Sequence, residues 1–64
     1  MLLVEGQTYR TRDGDHVTVK SIKNERGTYA VSCRDDHDRV TYRSQRGRFT
    51  NRPHRLDLVA VVPD

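Results

Sequence analysis

The stretch TYRTRDGDHVTVK, residues 8–20, decides the fold, because two runs of alternating residue types flank a central Asp-Gly pair. Alternation with a period of two is typical of a strand with one buried face. Asp13-Gly14 between two such runs is a strong hairpin signal. The stretch therefore predicts a β-hairpin. The residues expected to share one face within each of its strands are Tyr9 and Thr11, then Val17 and Val19.

Outward from the hairpin, runs of the same kind predict further strands at residues 28–34, 39–43 and 56–62, and a very short one at 48–50. Polar and glycine-containing segments predict turns at residues 24–27, 35–38 and 44–47. Residues 51–55, which include Pro53, are expected to form a tight 3₁₀-like turn. No window has the apolar spacing of a helix longer than about one turn.

The alternation also predicts which side chains face the core. In residues 28–34 it groups Tyr29, Val31 and Cys33 on one face. In residues 39–43 it favours Val40 and Tyr42 inward, because these are the apolar members of the run. The outward residues of that strand are then Arg39, Thr41 and Arg43. Residues 56–62, LDLVAVV, are the most apolar run and suit a strand buried on both faces.

These elements indicate an all-β protein with one domain, residues 1–64. Five or six short strands with turn signals every 8–12 residues, and a short 3₁₀ turn before the last strand, are typical of a small barrel. Closure of the sheet would remove exposed edges that so short a chain could not otherwise cover. We therefore expect a small SH3-like barrel.

Positive charge is concentrated in residues 39–55, RVTYRSQRGRFTNRPHR, which contain six arginines and no carboxylate. The whole chain has a formal net charge of only +3. Arginines interleaved with aromatic residues are the composition of a surface that binds phosphates, bases or an acidic partner. The candidate binding residues are Arg39, Arg43, Arg46, Arg48, Arg52 and Arg55, with Tyr42 and Phe49.

This composition leaves three hypotheses open. The first is a nucleic-acid-binding module that uses phosphate contacts with little base readout. The second is a protein-interaction module that binds an acidic patch of another protein. The third is a structural protein whose basic charge has no partner and which is stabilised as a homodimer. Its arginines form a solvated face over a core containing Val40, Tyr42 and Phe49.

Other residue patterns argue against a catalytic or metal-binding function. Asp35-Asp36-His37-Asp38 is expected to be a surface turn, because consecutive residues cannot all face one ion. The three histidines lack the spacing of a zinc site. Cys33 alternates with apolar residues and is expected to be a buried thiol. With no catalytic triad, phosphate loop or paired-carboxylate cleft in the sequence, we expect no enzyme activity, no cofactor and no metal.

The sequence also bears on the cellular compartment. A single cysteine favours a reducing compartment, and hence the cytoplasm. The apolar residues 1–4 end at Glu5, short of a signal segment, and no apolar run approaches the roughly 20 residues of a membrane span. We therefore expect a soluble cytoplasmic protein without a membrane partner.

Four motifs in order carry a resemblance: YRTRDG at residues 9–14, a strand with Val17 and Val19, RGRF at 46–49 and LDLV at 56–59. In this order the chain resembles small strand-rich accessory proteins of tailed phages and prophages. The resemblance covers most of the chain. It implies a phage-encoded, strand-rich domain, and proteins of this kind mostly lack an assigned activity. A phage origin would favour nucleic acid or a host protein as the partner.

Overall fold

A computed structural model of the chain describes residues 2–23 and 27–63. Five strands form one antiparallel sheet in the order β4-β3-β2-β1-β5, and the all-β class predicted from the sequence is confirmed. The described part contains no helix, and hence none long and apolar enough to cross a membrane. The strands are β1 (Thr8–Thr11), β2 (His16–Ile22), β3 (Val31–Asp35), β4 (Val40–Arg43) and β5 (Leu58–Val61).

The hairpin of β1 and β2 is confirmed, with Tyr9 opposite Val17. Its turn is closed by Thr11, whose backbone N–H donates to the Asp15 carbonyl at 2.7 Å and whose hydroxyl donates to the Asp13 carboxylate at 2.6 Å. Gly14 has φ +100°, a conformation that glycine adopts without steric penalty. The turn expected at residues 24–27 falls largely on 24–26, outside the described residues.

The sheet is not closed as a barrel. β4 and β5 are its two outer strands, and no ladder joins them within residues 2–23 and 27–63. Single backbone hydrogen bonds from the turn after β4 bridge part of this gap instead. The Leu3 N–H donates to the Gln45 carbonyl at 2.9 Å, and the Leu58 N–H donates to the Gly47 carbonyl at 2.9 Å. The likeness to an SH3-like barrel stays a prediction from the sequence.

The core lies on one face of the sheet and is small. The Tyr9 ring is buried within it, and its phenolic oxygen accepts a hydrogen bond from the Val4 N–H at 2.9 Å. The faces predicted for β1 and β2 are confirmed. Tyr29 departs from its expected place, because β3 begins only at Val31 and Tyr29 is exposed in the preceding turn. The buried apolar residues are Leu3, Tyr9, Val17, Val19, Val31, Cys33 and Leu58.

The predicted faces of β4 are wrong. Val40 and Tyr42 are exposed, whereas Arg43 is only 1% exposed and is the largest fully buried side chain of the described residues. The reason is the register with β3, in which Arg43 lies directly opposite the buried Val31. Side chains directly opposite one another in an antiparallel pair point to the same face. Burial of Val31 therefore places Arg43 on the core side.

The C-terminal part also differs from the prediction. Residues 48–50 form no strand, and the backbone bends at residues 49 and 50. The hydrogen-bonded turn before β5 spans residues 54–57, where the Asp57 N–H donates to the His54 carbonyl at 3.0 Å. β5 is not buried on both faces. Leu58 belongs to the core, but Val59 and Val61 are exposed because β5 has a neighbouring strand on one side only.

Gly47 permits the contact between the turn after β4 and the start of β5. It has φ +88°, and a Cβ atom at this position would lie 3.0 Å from the Leu58 carbonyl oxygen and 3.2 Å from its Cβ. Gly6 has a similar φ of +82° but open space around the corresponding position. A comparison of alanine substitutions at the two glycines therefore separates the cost of backbone strain from the cost of steric contact.

We expect Gly47→Ala to lower the free energy of unfolding by roughly 2–4 kcal/mol, the sum of backbone strain and overpacking against Leu58. Gly6→Ala is the matched control and should lower it by only about 1 kcal/mol, through strain alone. Urea unfolding followed by circular dichroism measures both. Equal losses in the two variants would show that the close approach of a Cβ atom at position 47 to Leu58 adds no steric penalty.

Candidate functional site

The six arginines of residues 39–55 do not form one surface. Arg43 is buried, whereas the other five are exposed. Arg39 and Arg55 are each paired with a carboxylate, and Arg46, Arg48 and Arg52 form no ion pair with any described residue. The fold therefore divides the predicted binding stretch into groups with different chemistry.

Arg43 is held in the core by acceptors from two segments. Its Nε donates to the Leu56 carbonyl at 3.0 Å, and its Nη1 donates to the Thr41 hydroxyl at 2.6 Å and to the Tyr42 carbonyl at 3.2 Å. The guanidinium carbon lies 4.8 Å from the centre of the Phe49 ring, which is cation–π geometry. Burial lowers the pKa of the Arg43 guanidinium, while nearby Cys33 and Asp57 oppose that shift. The prediction that Arg43 faces outward is wrong.

Asp57 organises the loop that leads from the turn after β4 to the start of β5. Its side chain is buried, with only 5% of its surface exposed. One carboxylate oxygen accepts the Phe49 N–H at 2.9 Å, and the other accepts the His54 N–H at 3.0 Å and an Arg12 Nη2 donor at 3.3 Å. The loop is thereby anchored to the residue that follows β1. Burial alone would raise the pKa of the Asp57 carboxyl, but these donors together hold it below its ordinary value.

The remaining aromatic candidate in this loop is Phe49. Its ring is half-buried and stacks on the His54 ring, with centroids 4.7 Å apart and the planes inclined by 30°. One neighbour is thus the His54 ring and another is the Arg43 guanidinium. Phe49 is engaged within the protein, whereas Tyr42, on the outer face of β4, is 57% exposed.

Arg39, Arg43 and Arg55 line one pocket. Arg39 lies at the turn of the β3–β4 hairpin, and Arg55 lies in the loop before β5. The Arg39 Nε lies 3.1 Å from the Asp35 carboxylate, and the Arg55 Nη1 lies 3.2 Å from that of Asp13. Hydrogen bonding lowers the pKa of both carboxyls: for Asp13 the main donor is the Thr11 hydroxyl, and for Asp35 it is the Arg39 backbone N–H. We call this space the inter-hairpin pocket; its volume is about 250 Å³.

Arg46 and Arg48 line a second, more open depression, which we call the turn groove. Its volume is about 520 Å³, and the described lining residues include no carboxylate. Arg52 is exposed but does not line it. Three stretches of the chain contribute its lining residues: Leu2, then Gly27 and Thr28, and then Ser44, Gln45, Arg46 and Arg48.

Sequence reasoning missed Asp57 and Arg12 as the centre of a polar network. The available signal was the position of Asp57, a lone carboxylate inside the most apolar run of the chain, LDLVAVV. A charged residue in such a run is buried only when it has partners. The partner Arg12 is 45 residues distant in sequence, so the pair could not be identified without the fold.

The remaining polar candidates lie apart. No group of three or more His, Cys, Asp or Glu side chains in the described residues is arranged to hold a metal ion. Burial of Cys33 is confirmed, and burial raises the pKa of its thiol, an effect that the positive charge of Arg43 opposes. His16 and His37 are exposed, and the Nδ1 of His54 accepts the Leu56 N–H at 3.1 Å.

Comparison with known proteins identifies no relative: no protein-family model, no curated protein and no solved structure matches the chain.

We expect Asp57→Asn to destabilise the protein by about 1–3 kcal/mol at neutral pH, because the amide has one accepting oxygen in place of two and carries no charge for its three donors. The variant should also lose less stability than the parent protein does when the pH is lowered. The folded pKa of Asp57 lies below its ordinary value, so its ionised form stabilises the fold above about pH 4. That contribution disappears as the pH falls through the ordinary value towards the folded one.

Urea midpoints measured from pH 7 down to about pH 2.5 test this prediction. Asp36→Asn is the matched control, because it removes the same charge from an exposed side chain. A parent protein and an Asp57→Asn variant with identical acid profiles would contradict the proposed role of Asp57.

Proposed function

We propose that this protein is a non-enzymatic binding module for single-stranded nucleic acid, held through phosphate contacts at the turn groove. The observation that supports the proposal is the pairing state of the arginines. Arg46 and Arg48 line one open groove with no carboxylate among its described residues, whereas Arg39 and Arg55 face carboxylate partners. Uncompensated guanidinium groups on an open surface are suited to the phosphates of a polyanion.

Tyr42 supports a single strand in preference to a duplex. Its ring is 57% exposed and lies two residues before Ser44, which lines the turn groove. Unpaired bases stack on exposed aromatic rings, at about 1–3 kcal/mol per base, and such stacking tolerates any sequence. Bases in a duplex are not free to stack in this way. We therefore assign phosphate contacts to Arg46 and Arg48, and base stacking to Tyr42.

The other predicted binding residues take different roles in this proposal. Arg52 is exposed and is available for an outlying phosphate contact. Phe49 and Arg43 stabilise the fold beneath the surface. Arg39 and Arg55 belong to the inter-hairpin pocket and are not assigned to the nucleic acid. The proposal retains the cytoplasmic setting and the phage origin expected from the sequence, with the buried Cys33 suited to a reducing compartment.

Fluorescence anisotropy with labelled single-stranded and duplex DNA and RNA, at several salt concentrations, tests the proposal. The parent should bind single strands more tightly than duplexes, with affinity that falls as salt rises. In the double variant Arg46→Gln/Arg48→Gln, the negative slope of log affinity against log salt should become shallower by about 1.4, because two phosphate contacts are lost. Tyr42→Ala should weaken single-strand binding and leave the salt slope unchanged.

Arg10→Gln/Lys20→Gln is the matched control, because it removes the same charge from exposed residues outside the groove. If it weakens binding as much as the groove variant does, the interaction reflects overall charge and not this site. Absence of binding even at low salt would overturn the proposal. The hypothesis of an acidic protein partner would then take precedence for the same arginines.

A further inference from the structure

The inter-hairpin pocket has the properties of a second binding site, independent of the turn groove. It lies between the β1–β2 hairpin, the β3–β4 hairpin and the segment just before Asp57. Its volume of about 250 Å³ is more than ten times the roughly 10–15 Å³ that one water molecule requires. Three arginines, Arg39, Arg43 and Arg55, line this one space.

Arg43 lines the pocket and has one unused donor. Its Nε and Nη1 have acceptors, but Nη2 donates to no described residue. No fully buried side-chain nitrogen or oxygen in the described structure lacks a partner, so Nη2, which has none, is not fully buried. Arg43 is therefore a core residue, only 1% exposed, that lines a cavity and keeps one donor without an acceptor among the described residues.

Arg39 and Arg55 add donors at the rim. Each pairs with its carboxylate through a single nitrogen, Nε for Arg39 and Nη1 for Arg55. The other guanidinium nitrogens of both side chains have no acceptor among the described residues. These pairs therefore position the two arginines and leave donors for a ligand. Convergent guanidinium donors are the chemistry that recognises an oxyanion.

The carboxylates of the pocket restrict the charge of that oxyanion. Asp35 and Asp15 line the same space, and Asp13 pairs with Arg55 at its edge, so the three positive groups are balanced by three negative ones. Both oxygens of Asp35 accept hydrogen bonds from residues 37 and 39, whereas Asp15 is exposed and its carboxylate has no hydrogen-bond donor in the described part of the chain. With no excess positive charge, the pocket suits a singly charged ligand better than a multiply charged one. A phosphate dianion would be repelled by Asp15.

We propose that the inter-hairpin pocket binds a carboxylate, either that of a small free acid or that at the C-terminus of a peptide. The carboxylate lies against Nη2 of Arg43 and between the free donors of Arg39 and Arg55. Thr41, whose hydroxyl accepts from Arg43, fixes the orientation of the buried guanidinium. The inference does not depend on nucleic-acid binding, since it uses none of the residues assigned to the turn groove.

Titration of the ¹⁵N-labelled protein with N-acetylglycine, followed by NMR, tests the proposal. We expect millimolar binding that shifts the backbone signals of Thr11, Asp35 and Thr41 and the Nε–H signal of Arg43. Arg39→Gln/Arg55→Gln should weaken binding about tenfold or more, and Asp15→Asn should strengthen it severalfold by removing the repelling charge. Neither variant alters a residue of the core.

Arg46→Gln/Arg48→Gln is the matched control and should leave the affinity within about twofold, since it removes equal charge from the other groove. Equal weakening by both double variants would overturn the proposal, as would an absence of shifts at the pocket. Phosphate that binds more tightly than N-acetylglycine would overturn the assignment of a carboxylate.

Two peptide ligands distinguish the sources of the carboxylate. A short peptide with a free C-terminus that binds more tightly than N-acetylglycine, while its amidated form does not bind, supports a peptide end. Equal affinity of the free peptide and N-acetylglycine supports a small acid. Binding of the amidated peptide at the pocket residues would overturn the proposal, because that peptide offers no carboxylate at its end.

Discussion

The structure depends on a guanidinium group placed where a small β protein normally has a large apolar side chain. Removal of Arg43 from water costs several kcal/mol unless its charge and donors are compensated. The hydroxyl of Thr41 in β4 supplies part of that compensation, and the carbonyl of Leu56 and the ring of Phe49, both in the loop after β4, supply the rest. The loop after β4 must therefore close over Arg43 for the core to be stable. Only seven apolar residues are buried in the described structure, so this polar closure stabilises what hydrophobic contact alone leaves incomplete.

Asp57 performs the complementary task from the other end of the same loop. The loop has no regular secondary structure, so its backbone N–H groups need other acceptors where they are buried. The carboxylate of Asp57 accepts two of them and pairs with Arg12, which fixes the loop against the end of β1. Arg43 and Asp57 thus hold opposite charges in one interior and are joined through the loop that both stabilise. The sheet stays open between β4 and β5, and this network lies where a barrel would have a ladder of strand hydrogen bonds.

The sequence was informative where local chemistry determines the structure and misleading where register does. The β1–β2 hairpin follows from alternation on both sides of Asp13-Gly14, since the turn residues and the strand pattern are adjacent. For β4 the same alternation identified the strand but not its inner face. A shift of register by one residue exchanges the two faces of a strand, and hydrophobicity favoured Val40 and Tyr42. The pairing of Arg43 with Val31 overrides that preference, and it is set by the loop at residues 36–39 and not by β4 itself. The error for β5 is similar. The apolar composition of this strand could not reveal that it pairs on one side only, or that Val59 and Val61 are exposed.

The properties of the candidate site likewise depend on where the fold places the carboxylates. In the sequence, residues 39–55 are a continuous block of positive charge without a single acidic residue. In the fold, Asp13 and Asp35 approach Arg55 and Arg39 from the two hairpin turns, while no described carboxylate approaches Arg46 or Arg48 in the turn groove. Ion pairs on the surface contribute little to stability, so the main effect of this arrangement is on the local field. One region presents arginines without a carboxylate partner among the described residues, on an open groove, and the other combines both signs around a small pocket. An arginine-rich segment therefore predicts affinity for anions, but the acidic residues brought to it by the fold decide which anions each part of its surface can bind.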